Sequence, residues 1–186
     1  MVRYLAVPLA AMLVCACAFQ AQAQAPGANP LSTELKNAYT SVKNNLVRMA
    51  EKMPEPDYSF KPVPEIRDFG ATIAHIADVQ MRMCSTANGE AKALNAASKT
   101  TKTDLVAALK ASFDECDKAF DSLTDASATQ MMSMGRGQRS KLGMLNQVVA
   151  HDNEEYGYLA VYLRLKGIVP PSSEGGGMGG MRRGPG

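Results

Sequence analysis

The chain has 186 residues, enough for one domain with a core of ordinary size. Its 20 lysines and arginines stand against 18 acids, both signs interspersed, which argues against nucleic acid, a partner that wants a basic face. Trp is absent, aromatic residues are few, and Ala, Leu and Met abound, a composition that favours helices over sheet.

Residues 1–23 read as a signal peptide outside the fold. Arg3 gives a short positive start, Tyr4 to Phe19 is mostly apolar but short for a membrane span, and Ala21-Gln22-Ala23 offers small residues to a signal peptidase. The expectation is cleavage after Ala23, export to the periplasm or medium, and no stable membrane span afterwards. A second reading is a lipoprotein anchored at Cys17, because Val14-Cys15-Ala16-Cys17 loosely resembles a lipobox. Residues 24–30 form a flexible leader.

From Leu31 the apolar residues step by three or four through Leu35, Ala38, Val42, Leu46, Met49 and Met53. This predicts a first helix, capped by Ser32 or Thr33 and ended by Pro54. Residues 54–67 hold four prolines and cannot be helical throughout. Tyr58 and Phe60 are expected to pin this link to the bundle end. Asp68 is a suitable N-cap for a second helix, whose inward face is Phe69, Ile73, Ile76, Ala77, Gln80 and Cys84. His75 lies at the edge of that face, and Asn88-Gly89 stops the helix.

A long polar connection over 87–102 leads to a third helix from about Thr103, with Leu105, Leu109, Phe113, Cys116, Phe120 and Leu123 in its stripe. Residues 125–137 read as a second loop. Its Met131, Met132 and Met134 suit either soft packing over the bundle end or a copper site, and no His or Cys joins them. A fourth helix runs from about Ser140 to Lys166, and the Gly-rich stretch 172–186 reads as a disordered tail. The fold expected is all-α: a four-helix bundle over 31–171, with no strand-like alternation.

The fourth helix carries the only chemistry the sequence advertises. His151 and Glu155 stand one turn apart, on the flank of a line formed by Leu145, Val148, Tyr156, Leu159 and Leu163. The run His151-Asp152-Asn153-Glu154-Glu155-Tyr156-Gly157, followed by Tyr162-Leu163-Arg164 and by Gly167 before prolines, resembles the last helix of the DinB-like family of metal-binding four-helix bundles, in particular its exported-looking members. The family pattern has a second histidine where this chain has Glu155. The resemblance spans residues 31–173 and implies a third ligand on helix two, which His75 matches.

Two histidines and a carboxylate form a recognised divalent-metal set that leaves coordination positions open. His75, His151 and Glu155 are therefore the candidate ligands for one zinc, nickel, manganese or iron ion. By helical rise, His75 lies about 9 Å from the start of helix two, and His151 and Glu155 about 22 and 16 Å from the end of helix four. The three meet only if helix four overhangs helix two by about two turns, the proline-rich link covering the protruding end. The function expected is metal binding, with metal-dependent hydrolase or transferase activity as one outcome. The other is a non-catalytic exported bundle with a binding or envelope role. The partners open to either are a small-molecule ligand and a second copy.

Cys84 and Cys116 remain once the signal peptide is gone, and an even pair in an exported domain invites a disulfide. They sit about 22 and 20 Å along their helices. Parallel helices would place them level, whereas antiparallel helices would separate them by about 17 Å, beyond the reach of a bridge. The long 87–102 connection suits a parallel return, and the DinB-like resemblance implies the same crossover. The expectation is a Cys84–Cys116 bridge between parallel helices two and three.

Overall fold

Each helix begins where an oxygen is available for its first free N–H groups. In the computed structural model, which describes residues 28–134 and 137–174, α1 spans Pro30–Lys52, α2 Phe69–Ala87, α3 Lys102–Asp121 and α4 Lys141–Leu165. Asp68, Thr101 and Ser140 cap α2, α3 and α4, accepting from the amides of Ala71, Asp104 and Gly143. Such caps stabilise a helix by about 1 kcal/mol each. Residues 1–23, read above as a signal peptide, with Cys17 among them, and residues 175–186 lie outside the described residues.

The start of α1 differs from expectation. Ser32 and Thr33 do not cap it; the helix opens on Pro30, and the amides of Leu31 and Ser32 donate to the carboxylate of Asp125, far along the chain. A remote acid does the work of a local cap and ties the α3–α4 connection to α1. Gly89 and Gly167, both with positive φ, stop α2 and α4 at the predicted points.

The helices pack as a bundle in which α1 and α2 each contact α3 and α4. Residue pairs fix the directions. Gln80 meets Ser112 and Cys84 meets Cys116, so α2 and α3 climb together. Lys43 meets Asp117 while Glu51 meets Lys110, so α1 and α3 run opposite; Gln80 meets Asp152 while Arg67 meets Tyr162, so α2 and α4 do too. The core holds Tyr39 stacked on Phe120 at 3.9 Å between centroids, with Leu46, Met49, Ile73, Leu109, Met144 and Leu159 fully buried around them.

The 88–101 connection supplies the parallel return. Asp78 accepts from the amides of Ala96 and Ala97, and the Ser85 hydroxyl from the amide of Lys92. Cys84 and Cys116 are bridged, with Cα atoms 4.8 Å apart and both residues buried.

The 125–137 region is not all loop. Met131–Met134 (β1) and Gly137–Ser140 (β2) pair antiparallel, Met131 opposite Ser140 and Met134 opposite Gly137. Four-residue strands are too short for alternation to show in the sequence. Met132 packs against the core and Met131 is exposed. At the other end, the first residues of the presumed tail are seated on the bundle: Glu174 pairs with Arg48 and Lys52, and the Tyr156 hydroxyl donates to that of Ser172. These pairs, not apolar burial, hold Ser172–Glu174 in place, so composition alone gave no sign of them.

Candidate metal centre

The proline-rich link sets the height at which α2 meets α4. Tyr58 is buried, and its hydroxyl donates to the carbonyl of Ala50. Its backbone lies so close to Gly70 that a Cβ there would sit 3.2 Å from the Tyr58 carbonyl oxygen. Phe60 contacts Tyr162 edge-on and lies under the ammonium of Lys166. The far end of α4 therefore projects past the start of α2 and is covered by the link, which is the overhang the three candidate ligands require.

With that register, His75 of α2 faces His151 and Glu155 of α4. The two Nε2 atoms are 3.2 Å apart, and Oε1 of Glu155 lies 3.5 Å from His75 Nε2 and 3.7 Å from His151 Nε2. These three atoms make a nearly equilateral triangle whose corners are about 2.0 Å from its centre, the length of an ordinary metal–nitrogen or metal–oxygen bond. Two imidazole nitrogens and one carboxylate oxygen at that spacing fit a divalent ion.

Burial sets the electrostatics. His75 is held below its ordinary imidazole pKa by burial first, then by the charges of Arg67, His151 and Arg82, so its neutral, metal-competent form is favoured. Glu155 is pushed above the ordinary carboxylate range by burial, with His151 and Arg67 pulling it back. Its side chain is 8% exposed, against 30% for His75. Two clefts flank the triad. One, of about 670 Å³, has Glu155, Thr72 and Arg67 beside apolar walls from Ile66, Val161 and Tyr162; the other, of about 500 Å³, includes His75, Arg67 and Asp78. Arg67 lines both.

One sequence expectation needs refinement. Glu155 is not on the flank of the core stripe but within it: the buried line of α4 runs Leu145, Val148, Asp152, Glu155, Leu159 and Tyr162. Tyr156, expected in the stripe, is only partly buried. Asp152, which the sequence reading passed over, is completely buried. Its Oδ2 accepts from Gln80 Nε2 at 2.7 Å, and Gln80 Oε1 accepts from the Ser112 hydroxyl at 2.6 Å. Counting by threes and fours from Leu145 lands on both acids, and the same count places Gln80 and Ser112 inward. Polar residues at core positions were the available signal.

The sequence model of the DinB superfamily matches residues 38–159. The chain belongs to the DinB superfamily. Solved DinB-like proteins share its fold: one from Bacillus cereus aligns at a TM-score of 0.66 and 15% identity, covering 75% of this chain and 95% of the other. Another, from Bacillus subtilis, aligns at 0.59 and 21% identity, covering 72% and 92%. At these identities the likeness shows the DinB fold alone. No curated protein matches the chain by sequence.

Proposed function

We propose that this DinB-superfamily chain is an exported divalent-metal-binding protein whose ion is held by Nε2 of His75, Nε2 of His151 and Oε1 of Glu155. The single observation that carries the reading is the 3.2, 3.5 and 3.7 Å triangle of those atoms, drawn from two helices and buried on one side. Nε2 of His75, Nε2 of His151 and Oε1 of Glu155 would hold a divalent ion, which would supply Lewis acidity of the kind a hydrolase or transferase uses. The chain's own residues do the rest: the Ile66, Val161 and Tyr162 walls receive a small-molecule ligand, and Arg67 places a positive charge at both cleft mouths. The buried disulfide supports export, since such bonds persist in oxidising compartments. Among the described residues, no helix is long and apolar enough to cross a membrane.

Metal-stripped mature protein titrated with zinc, nickel, manganese or ferrous iron is expected to rise in Tm, and His151→Ala to abolish the rise. No rise with any of the four ions sinks the reading. One observation then favours the alternative, a non-catalytic bundle with a binding or envelope role. The two Nε2 atoms are within hydrogen-bond distance, so one ring can satisfy the other without an ion. Export is checked by the mass of the processed chain, expected to begin at Gln24.

A further inference from the structure

Asp152 is the least expected residue in the core. Its side chain is completely buried, and no lysine or arginine among the described residues pairs with it. One oxygen is accounted for by Gln80, whose amide is itself held by Ser112, so a polar relay crosses α4, α2 and α3. The other oxygen, Oδ1, is buried without a hydrogen-bond partner. Nδ1 of His151 lies 3.6 Å from it, and is also buried and also without a partner. Orphaned polar atoms are rare in folded interiors because each loses its water without replacement. Two orphans of complementary chemistry facing each other describe a contact that a small turn of the ring completes.

We propose that Asp152, held by Gln80 and Ser112, is the positioning residue that fixes His151 as the Nδ1–H tautomer and turns its Nε2 toward His75 and Glu155. An acceptor beside Nδ1 keeps the proton there and leaves the lone pair on Nε2, the atom found 3.2 Å from His75 and 3.7 Å from Glu155. Metal-ligating histidines are generally oriented in this way, by a carboxylate at the nitrogen that does not bind. The consequence for an ion rests on the metal-binding reading; the tautomer and ring orientation do not. A relay that merely tied three helices together would leave the proton position on His151 free.

Two measurements on the full mature chain test this. Long-range proton–nitrogen NMR of the metal-free protein, at a pH where the ring is neutral, is expected to show His151 protonated at Nδ1; protonation at Nε2 overturns the proposal. Asp152→Asn, which keeps shape and one acceptor oxygen, and Asp152→Ala, which keeps neither, are then titrated with zinc. Affinity is expected to fall roughly 10- to 100-fold in the alanine variant, the usual loss for an orienting partner, and by less in the asparagine variant. The Asp152→Asn fold is verified by circular dichroism and by the intact bridge. Unchanged zinc affinity in that folded variant and in Asp152→Ala overturns the proposal, whatever happens to Tm. If wild type binds no metal, the metal reading fails, and the wild-type tautomer, with its loss in a folded Asp152→Ala variant, alone decides the role of Asp152.

Discussion

Two glutamates are buried against α2, one near each end of its inner surface, and their surroundings are opposite. Glu115, 4% exposed, receives Asn88 Nδ2 at 2.7 Å on one oxygen and the ammonium groups of Lys92 and Lys118 at 3.1 and 3.0 Å on the other. The Asn88 hydrogen bond, and then Lys118 and Lys92, hold its carboxyl down to about 2 against the opposing effect of burial. Glu155, 6% exposed, is paired among the described residues only with the rings of His75 and His151, Arg67 acting from farther off, and burial pushes it upward. The first acid is satisfied by its own protein. The second, with Asp152 beside it, is a buried acid that no lysine or arginine among the described residues pairs with directly, which is what a site awaiting an ion looks like.

The strongest way to separate the two ends is through the bridge, because Cys84 and Cys116 stand next to Asn88 and Glu115 and a full turn or more from the triad. Closing a loop of 32 residues should stabilise the bundle by about 3 to 4 kcal/mol in the chain-entropy model. Denaturant unfolding with and without reductant is expected to show a loss of that size, and Cys84→Ser with Cys116→Ser the same loss without reductant. Two alkylatable thiols in the native protein would rule the bridge out.

Next in size is the contrast between the acids themselves. Glu155→Gln is expected to leave the metal-free stability within about 1 kcal/mol of wild type, since a neutral amide suits a buried position lacking a cation. It should also abolish the metal-induced stabilisation, which reaches about 2.7 kcal/mol at a hundredfold excess over Kd. Glu115→Gln should do the reverse, losing about 1 to 3 kcal/mol by stranding its donors while keeping metal affinity. Chemical unfolding of both variants, with and without zinc, fills the four cells; a Glu155→Gln variant that still gains stability from zinc breaks the comparison.

The helices were legible because their signals are local. Asp68 as a cap, Asn88-Gly89 as a stop and Gly167 before Pro170 each act on the nearest few residues, and the structure uses all of them. The elements missed are those held from a distance. Asp125 caps α1 from across the chain, Glu174 seats the last described turn through Arg48 and Lys52, and the short hairpin depends on pairing between strands too brief to alternate. At the site, the candidate ligands could be named from residue type and spacing. Asp152, Gln80 and Ser112 could not be assigned a role, because a polar residue in an apolar stripe becomes informative only when its partner on another helix is known.

Acid titration distinguishes the ends by sign. Glu115 has its folded pKa below the ordinary 4.5, so its contribution to stability is present above that value and is lost as pH falls toward 2. Glu155 has its folded pKa raised, so in the metal-free protein it costs stability as pH rises through and above 4.5. His75, lowered from 6.5, binds its proton more weakly folded than unfolded, so stability is lost as pH falls through 6.5. Protons and an ion compete for the same three atoms, and the zinc-induced rise in Tm should therefore grow from about pH 5 to pH 7.5. A pH-independent rise would place the ion elsewhere.

The smallest effect expected is at Arg67, and its sign is the informative part. The guanidinium is exposed, lines both clefts, and disfavours protonation of His75 and Glu155 alike. Any group that repels a proton from these atoms repels a divalent ion about twice as strongly at the same place. Arg67→Gln should therefore tighten zinc binding where protons no longer compete, near pH 8, by about fivefold at most given solvent screening. As pH falls the gain should shrink and vanish, because protons at His75 and Glu155 are strengthened by the same change and must be displaced. Raising the salt concentration should erase the difference between variant and wild type at pH 8. Weaker zinc binding by Arg67→Gln at every pH would mean that Arg67 supports the triad structurally, and the open, uncompensated end of α2 would have to be redrawn with that residue inside it.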